Sequence, residues 1–291
     1  MFGDCHMHMV LDGVYYKDAI AAHRGHVRDD LIRQRLSAYA AAGIRYLRDG
    51  GDAFGVALRA RELAPEYGIE YRAPVYPMCL KGRYGAFIGR AFETLDDYRA
   101  MVAEARKAGA DFIKVMISGL MDFDHFGVIT SEPLTAPQIR ELIRIAHDEG
   151  FPVMAHANGA RTVMAAIEAG VDSVEHGAYL NRETVEALAQ SGAVWVPTLV
   201  TIGNLIGCGR FPDDVLARIL DVQLENVALC VSLGGSIALG SDNGAYQVPH
   251  VKGTMDEYAL LKRALGPRID DILRAGEEAI RARFVWGGRR S

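Results

Sequence analysis

The segment GDCHMHMVLDG, residues 3–13, places Asp4, His6 and His8 at two-residue intervals. In a β-strand, residues i, i+2 and i+4 lie on one face. Three polar side chains on the inner face of a buried strand are costly unless they form hydrogen bonds or bind a metal. Imidazole nitrogens and carboxylate oxygens are ligands of zinc and other divalent metals. This stretch alone is equally compatible with solvated histidines at the edge of a strand.

Further residues of ligand type lie within or at the ends of other predicted strands. They are Lys114 in DFIKVMISG, His156 in VMAHANG, His176 in SVEHG and Asp242 in ALGSDNG. Each has an ordinary explanation when taken alone, such as a hydrogen-bonded histidine or an aspartate that caps a helix. Chance rarely places four histidines, one lysine and one aspartate on the same rim of five strands. The joint pattern therefore indicates one shared site.

The elements that must position these residues alternate between short apolar segments and helical patterns, which is typical of βα units around a parallel sheet. The predicted strands are 2–8, 44–49, 70–78, 111–117, 152–157, 172–176, 193–198 and 236–241. Eight strands with helices over about 250 residues favour an α/β fold of the (β/α)₈ TIM-barrel type, whose functional residues lie at the C-terminal ends of the strands. A doubly wound open sheet is the alternative, but no glycine-rich phosphate turn follows the first strand.

Helix boundaries are also marked in the sequence. Thr135 and Gln138 have the spacing of a capping box, and Asn181 is the predicted N-cap of a later helix. An additional helix is predicted over about 268–286. No linker, repeat or low-complexity segment divides the chain, so we expect one domain over residues 1–291.

Composition limits the classes of partner and compartment. The net charge is −5, from 32 basic and 37 acidic residues without long blocks of one sign, which argues against nucleic acid or an anionic membrane as a partner. No signal peptide or membrane-spanning segment is predicted, and the tail GGRRS, 287–291, is expected to be loose. The cysteines form no CxxC pair, which favours a reducing cytoplasm. The sequence leaves the oligomeric state open, a homo-oligomer included.

The order His-x-His, Lys, His, His, Asp on predicted strands one, four, five, six and eight resembles the amidohydrolase superfamily of binuclear metallohydrolases. The segments RDGG (48–51), VDSVEHG and VWVPTL resemble its imidazolonepropionase-like and Xaa-Pro dipeptidase-like branch. The resemblance extends from Asp4 to about Val251. Many members carry a small β-sandwich built from segments outside the barrel. Because three residues precede Asp4 and 49 follow Asp242, we expect either a barrel with little or no such sandwich or a natural N-terminal segment that is missing from this sequence.

The resemblance implies that Lys114 is carboxylated by CO₂ and bridges two divalent metal ions, with zinc as the first expectation. A carbamate offers two oxygen ligands, whereas a lysine ammonium has no lone pair for a cation. Asp4 is expected to orient a ligand histidine or the local backbone. The implied ligands are His6, His8 and Asp242 for the first metal and His156 and His176 for the second.

The implied reaction is hydrolysis of a C–N amide bond in a small molecule, open-chain or cyclic, with dipeptides and N-acyl amino acids among the candidates. A hydroxide that bridges the two metals would attack the carbonyl, with Asp242 as general base and then general acid. The same ligands would also serve an esterase, a lactonase or a phosphotriesterase. A non-catalytic barrel that binds a metal or a metabolite is a further alternative.

The loops that would select the substrate depart from the dipeptidase-like branch. Its members carry a Gly-His pair after the third strand, where this chain reads CLKGRYGAFIGR, and they tend to carry a tyrosine after the PTL segment, which is absent here. A peptide-like substrate with a free carboxylate is therefore less expected. Lys81 or Arg83 could still bind an anionic group. The candidate substrate-binding residues are Arg83, Tyr84, His125 and His250.

Overall fold

The computed structural model describes residues 2–286, and parallel β-strands form its centre. The strands are β1 (Asp4–Met7), β2 (Tyr46–Asp49), β3 (Glu70–Arg72), β4 (Pro77–Leu80), β5 (Arg90–Phe92), β6 (Ile113–Met116), β7 (Val153–Ala157), β8 (Ser173–His176), β9 (Val194–Val196) and β10 (Ser236–Ile237). Strands β1 to β3 form one sheet, and seven strands form a second sheet in the order β10-β9-β8-β7-β6-β4-β5. The strand pairs within both sheets are parallel, as a chain of βα units requires.

Backbone hydrogen bonds join the two sheets where the first strand meets the segment after the last strand. The amide of Cys5 donates to the carbonyl of Leu239 at 2.8 Å. The amide of Asp242 donates to the carbonyl of His6 at 2.6 Å. The segment that follows β10 therefore runs beside β1 and brings the C-terminal ends of both strands together.

The second junction lies in the segment predicted as one strand over 70–78. Its first part, β3, pairs with β2, whereas β4 begins at Pro77 and pairs with β6, so the chain crosses from one sheet to the other. The prediction of one continuous strand is wrong here because Pro74 and Pro77 have no N–H to donate to a strand ladder. Strand β5, which pairs with β4, was not predicted either. The two junctions complete a TIM barrel, which confirms the predicted fold class.

Helices cover the outside of the barrel and pack on it through two large apolar clusters. The predicted capping box is confirmed, since the Thr135 side chain accepts from the amide of Gln138 and the Gln138 side chain accepts from the amide of Thr135. Asn181 caps its helix as predicted. The helices are α1 (Tyr16–Ala21), α2 (Asp29–Ala41), α3 (Val56–Leu63), α4 (Leu95–Lys107), α5 (Ala136–Asp148), α6 (Ala160–Glu168), α7 (Arg182–Gln190), α8 (Val200–Gly203), α9 (Asp213–Ser232), α10 (Lys252–Leu265) and α11 (Ile269–Arg283).

Helix α11, which lies within the predicted range 268–286, covers the N-terminal end of the barrel. Its residue Ile280 and the following Phe284 belong to a buried cluster that includes Tyr46 and Phe112, at or just before the first residues of β2 and β6. This end of the barrel is therefore filled by apolar side chains. The C-terminal end is left for polar residues and a cavity, as in other barrels of this type.

Within residues 2–286, no helix combines the length and the apolar character needed to cross a bilayer. The tail predicted to be loose, 287–291, lies outside the described residues.

Candidate metal centre

Three side chains from the two ends of the chain converge at the C-terminal end of the barrel. One possible ligand atom from each of His6, His8 and Asp242 lies within 4.8 Å of the others. The Nε2 atoms of both histidines lie 3.5 Å from Oδ1 of Asp242. The two-residue spacing on β1 places both imidazoles on the inner face, and the segment after β10 brings the aspartate beside them.

The other three predicted ligands lie on neighbouring strands of the second sheet. Lys114 on β6 places Nζ 3.4 Å from Nε2 of His6. The imidazole of His176 has its ring centroid 4.5 Å from that of His156 and 5.1 Å from that of His6. The structure therefore brings all six residues predicted from the sequence to one place.

Burial gives these groups unusual protonation. Burial, together with the nearby Lys114, lowers the pKa of His8 and of His156 to about 3, so both rings are neutral at physiological pH and keep a lone pair for a metal. Burial also lowers the pKa of Lys114 to about 8 and raises the pKa of Asp242 to about 7. An amine with a lowered pKa is more often neutral, which is the form that reacts with CO₂ to give a carbamate.

The backbone at the site is held in unusual conformations. His176 and Asp242 have φ of 68° and 56°, in the left-handed region that residues other than glycine rarely occupy. The carbonyl of His176 accepts hydrogen bonds from Nε1 of Trp195 at 2.9 Å and from Nε2 of Gln223 at 3.1 Å, which fixes the turn. Strained backbone of this kind is concentrated at functional sites.

Gly50, in the segment RDGG, explains how the ring of His8 fits. A Cβ atom at this position would lie 2.3 Å from Cε1 of His8, so any other residue would push the imidazole away. The preceding Asp49 accepts from the amide of Met9 at 2.9 Å and from that of Gly51 at 2.6 Å. This segment therefore positions the end of β1.

A buried ion pair that the sequence pattern does not reveal lies directly behind His6. Oε2 of Glu175 lies 2.8 Å from Nδ1 of His6, and the carboxylate accepts from the guanidinium of Arg48 at 2.9 and 3.1 Å. Both charged side chains are fully buried. The carboxylate faces Nδ1 and leaves Nε2 of His6 directed at Asp242 and Lys114. The available signal was Arg48 and Glu175 themselves, charged residues inside the strands predicted at 44–49 and 172–176.

The side chain of Asp4 bonds to groups other than the side chains of the six converging residues and connects three segments around them. Its carboxylate accepts from the Ser241 amide at 3.0 Å, from Nδ2 of Asn243 at 3.1 Å and from Oγ1 of Thr254 at 2.6 Å. The amide of His6 also donates to it at 3.2 Å. Asp4 thus fixes β1 to the segment that carries Asp242 and to α10.

Of the four residues proposed for substrate binding, Tyr84 lines the cavity over the site, with its ring centroid 5.0 Å from that of His156. The other three do not belong to that lining. Arg83 is paired with Glu132 at 2.6 Å, and the exposed His125 lies 3.3 Å from Asp122.

The remaining candidate, His250, is buried away from the cavity. Its Nδ1 lies 3.0 Å from the Tyr39 hydroxyl and its Nε2 lies 2.8 Å from the carbonyl of Leu11. Both ring nitrogens therefore have protein partners. The sequence placed this histidine on a rim loop but could not show which way the ring points.

The cavity above the six residues has a volume of about 460 Å³ and a mostly apolar wall. Besides Tyr84, its aromatic residues include Tyr15, Tyr16, Phe87, Phe123, Phe211 and Tyr246. A small-molecule site commonly has an apolar wall with a few polar groups that fix the orientation of the ligand. Here the polar groups are concentrated at the base.

Solved structures of amidohydrolases share this fold. A Xaa-Pro dipeptidase with bound methionine in its active site aligns with a TM-score of 0.74 and 21% identity, covering 96% of this chain and 75% of that one. The ochratoxinase of Aspergillus niger aligns with a TM-score of 0.73 and 21% identity, covering 97% of this chain and 69% of that one. At such identities the likeness concerns the fold.

Sequence comparison shows the family. The sequence of A. niger ochratoxinase is 26% identical over 288 residues, which cover 82% of this chain and 56% of that protein. The chain thus spans little more than half the length of that relative. The profile described as "Amidohydrolase family" matches residues 4–276, which include all six of the converging side chains. The chain therefore belongs to the amidohydrolase family, as its sequence pattern predicted.

Proposed function

We propose that the protein is a metal-dependent hydrolase that cleaves a C–N amide bond of a small molecule. The observation that carries the proposal is the convergence of His6, His8 and Asp242 within 4.8 Å of one another, next to Lys114 and two further histidines. Family membership and the similarity to ochratoxinase, a member that shares 26% identity, support amide hydrolysis in general.

The chemistry of the donors fits two divalent ions. Four buried histidines with lowered pKa offer neutral nitrogen ligands, and Asp242 offers a carboxylate. We infer that His6, His8 and Asp242 would hold one ion, that His156 and His176 would hold the other, and that Lys114 as a carbamate would supply an oxygen ligand to each. This mixture of imidazole and carboxylate oxygen suits zinc.

When bound, such ions supply a water of lowered pKa as nucleophile and polarise the amide carbonyl. The chain's own part is proton transfer, orientation and exclusion of water. Asp242, which lies beside both β1 histidines, accepts the proton of the attacking water and returns it to the leaving nitrogen. The aromatic wall that includes Tyr84 excludes water and holds the substrate over the base of the cavity.

The test starts with protein stripped by a chelator and reloaded with zinc. We expect elemental analysis to give two ions per chain and expect turnover of amides in a panel that also contains lactones and phosphotriesters. His156→Ala should lower the metal content chiefly by one ion, whereas His147→Ala, on the outside of the barrel, should leave it unchanged. One ion per chain after full reloading would disprove the binuclear site. Turnover of lactones or phosphotriesters without any amide would disprove the proposed reaction.

A further inference from the structure

Two groups of aromatic side chains line the cavity above the proposed metal site. In one, ring contacts lead from Tyr16 to Phe87 at 5.3 Å, from Phe87 to Tyr84 at 5.7 Å, and from Tyr84 to His156 at 5.0 Å. In the other, Phe123 contacts Phe211 at 5.2 Å. The first group connects the exposed rim with a proposed metal ligand. Flat apolar or aromatic groups are the complement of such a surface.

One arginine interrupts this apolar lining. The guanidinium of Arg210, in the loop between α8 and α9, lies 5.1 Å from the ring centroid of Phe211 and 4.9 Å from that of Tyr246. Apart from Lys114 and Asp242 at the base, Arg210 is the charged side chain among the residues that line the cavity. It makes no ion pair with any carboxylate in residues 2–286.

Arg210 differs in this respect from Arg83, the arginine that the sequence offered as an anion-binding candidate. Arg83 lies outside the cavity lining and is already neutralised by Glu132 at 2.6 Å. The two aromatic rings beside Arg210 attract its cation without using its N–H donors, so those donors remain available. A guanidinium held in this way favours a carboxylate, which it binds with two parallel hydrogen bonds.

We propose that Arg210 is the receptor for an anionic group of the substrate. The substrate class is then an amide that combines an aromatic or bulky apolar group with a carboxylate. This inference rests on the proposed amide hydrolysis and adds the substrate class and the specificity-determining residue. Arg210 lies on a loop and not on a barrel strand, and it was not among the residues selected from the sequence.

Three matched amides provide the test. N-Benzoyl-L-phenylalanine carries a carboxylate on the amine side, N-(4-carboxybenzoyl)phenethylamine carries one on the acyl side, and N-benzoylphenethylamine is neutral. The zinc-loaded wild-type enzyme should have the highest kcat/KM for one of the two anionic amides. Replacing Arg210 by Gln should lower kcat/KM for that amide by about 10- to 100-fold more than for the neutral amide, the worth of one hydrogen-bonded charge pair. Arg210→Lys should retain part of the preference.

Arg218→Gln is the matched control. Arg218 also lies over an aromatic ring, 3.8 Å from the centroid of Phe126, but neither residue lines the cavity. We expect this variant to keep the wild-type preference for the anionic amide.

A binding measurement separates this inference from the proposed reaction. Isothermal titration calorimetry of metal-free protein with the same three amides requires no turnover. Tighter binding of an anionic amide that Arg210→Gln abolishes would support the receptor even if none of the amides were hydrolysed, a result that would count against the proposed reaction alone. Equal binding of anionic and neutral amides, or an equal loss for both in Arg210→Gln, would overturn the inference.

Discussion

At the scale of single residues, a substitution of Lys114 tests the proposed metal site most directly. Its amine lies 3.4 Å from a ring nitrogen of His6, where an ammonium would repel metal ions bound by the histidines. If the residue is a carbamate bridge, Lys114→Ala should remove most of the bound metal and lower turnover by orders of magnitude. Elemental analysis and initial rates would measure both effects, and acetate or propionate should restore part of the rate.

Lys81→Ala is the control for Lys114, because Lys81 is exposed and paired with Glu93 at 2.6 Å. It should bind metal as the wild type does. If Lys114→Ala kept two ions and a near-normal rate, the bridging role would be wrong.

A second prediction concerns the buried pair of Glu175 and Arg48. Glu175→Gln leaves the Arg48 charge without its counter-ion, which should cost about 3–5 kcal/mol of unfolding free energy. The same change removes the carboxylate that faces Nδ1 of His6, so zinc affinity should fall as well. Urea unfolding of metal-free protein and zinc titration measure the two effects separately.

An exposed pair provides the comparison. Glu186→Gln breaks an ion pair with Arg182 on the surface of α7 and should change stability by less than about 1 kcal/mol. A double variant, Arg48→Met with Glu175→Leu, should recover much of the stability without recovering zinc affinity. Wild-type zinc affinity in Glu175→Gln would show that the pair has no role in positioning His6.

The sequence predicted the six converging residues because five of them follow or close a recognisable strand and Lys114 lies inside one. It could not predict the pair behind them. Arg48 and Glu175 are 127 positions apart and meet because β2 and β8 both point side chains into the barrel. A single charge in a strand gives no sign of its partner. Arg210 was missed for a similar reason, since only the folded loop shows which cavity it lines.

At the scale of elements, Asp4 attaches β1 to the segment after β10 and to α10. Asp4→Ala would leave the buried hydroxyl donors of Ser241 and Thr254 without their acceptor and would remove one of the acceptors of Asn243 Nδ2. Because each unsatisfied buried donor costs about 1–3 kcal/mol, we expect a loss of at least about 2 kcal/mol in urea unfolding. Zinc binding should weaken too, since Asp242 adjoins the segment that Asp4 holds. Asp96→Ala, at an exposed position of α4, should do neither.

Element boundaries were predictable where local chemistry marks them. Thr135 and Gln138 determined the start of α5, and the hydrogen bonds of the capping box are present. The prediction of one strand over 70–78 failed because two prolines divide the segment between two sheets. Tertiary pairing, which the local sequence does not show, determines that division. Strand β5 has three residues, two of them exposed, and gives no apolar pattern to recognise.

At the scale of the whole molecule, Glu257 should make stability depend on pH. Its carboxylate is buried, accepts from the amide of Val200 at 2.7 Å, and has its pKa raised by burial from 4.5 to about 8. Between these values the folded state binds more protons than the unfolded state. The contribution of Glu257 is therefore fully present below about pH 4.5 and is lost as the pH rises towards 8.

Glu257→Gln should thus flatten the decline in unfolding free energy between pH 5 and 8 relative to the wild type. Urea unfolding of metal-free protein at several pH values measures the slope. Glu186→Gln should keep the wild-type slope, because that side chain is half exposed on α7. An identical slope in Glu257→Gln would show that the carboxylate does not titrate in this range.

The pairing of β1 with the segment after β10 would also determine when the proposed first ion could bind. Asp4 meets Ser241 across 237 positions, and the proposed ligands of the first ion lie on either side of the same junction. During synthesis on the ribosome, His6 and His8 emerge before most of the chain, Asp242 included, has been translated. Their strand has an open edge for that whole period, which is a state prone to wrong pairing. Uptake of the proposed first ion would therefore follow translation of the segment after β10, and no bound metal could stabilise the fold before that point.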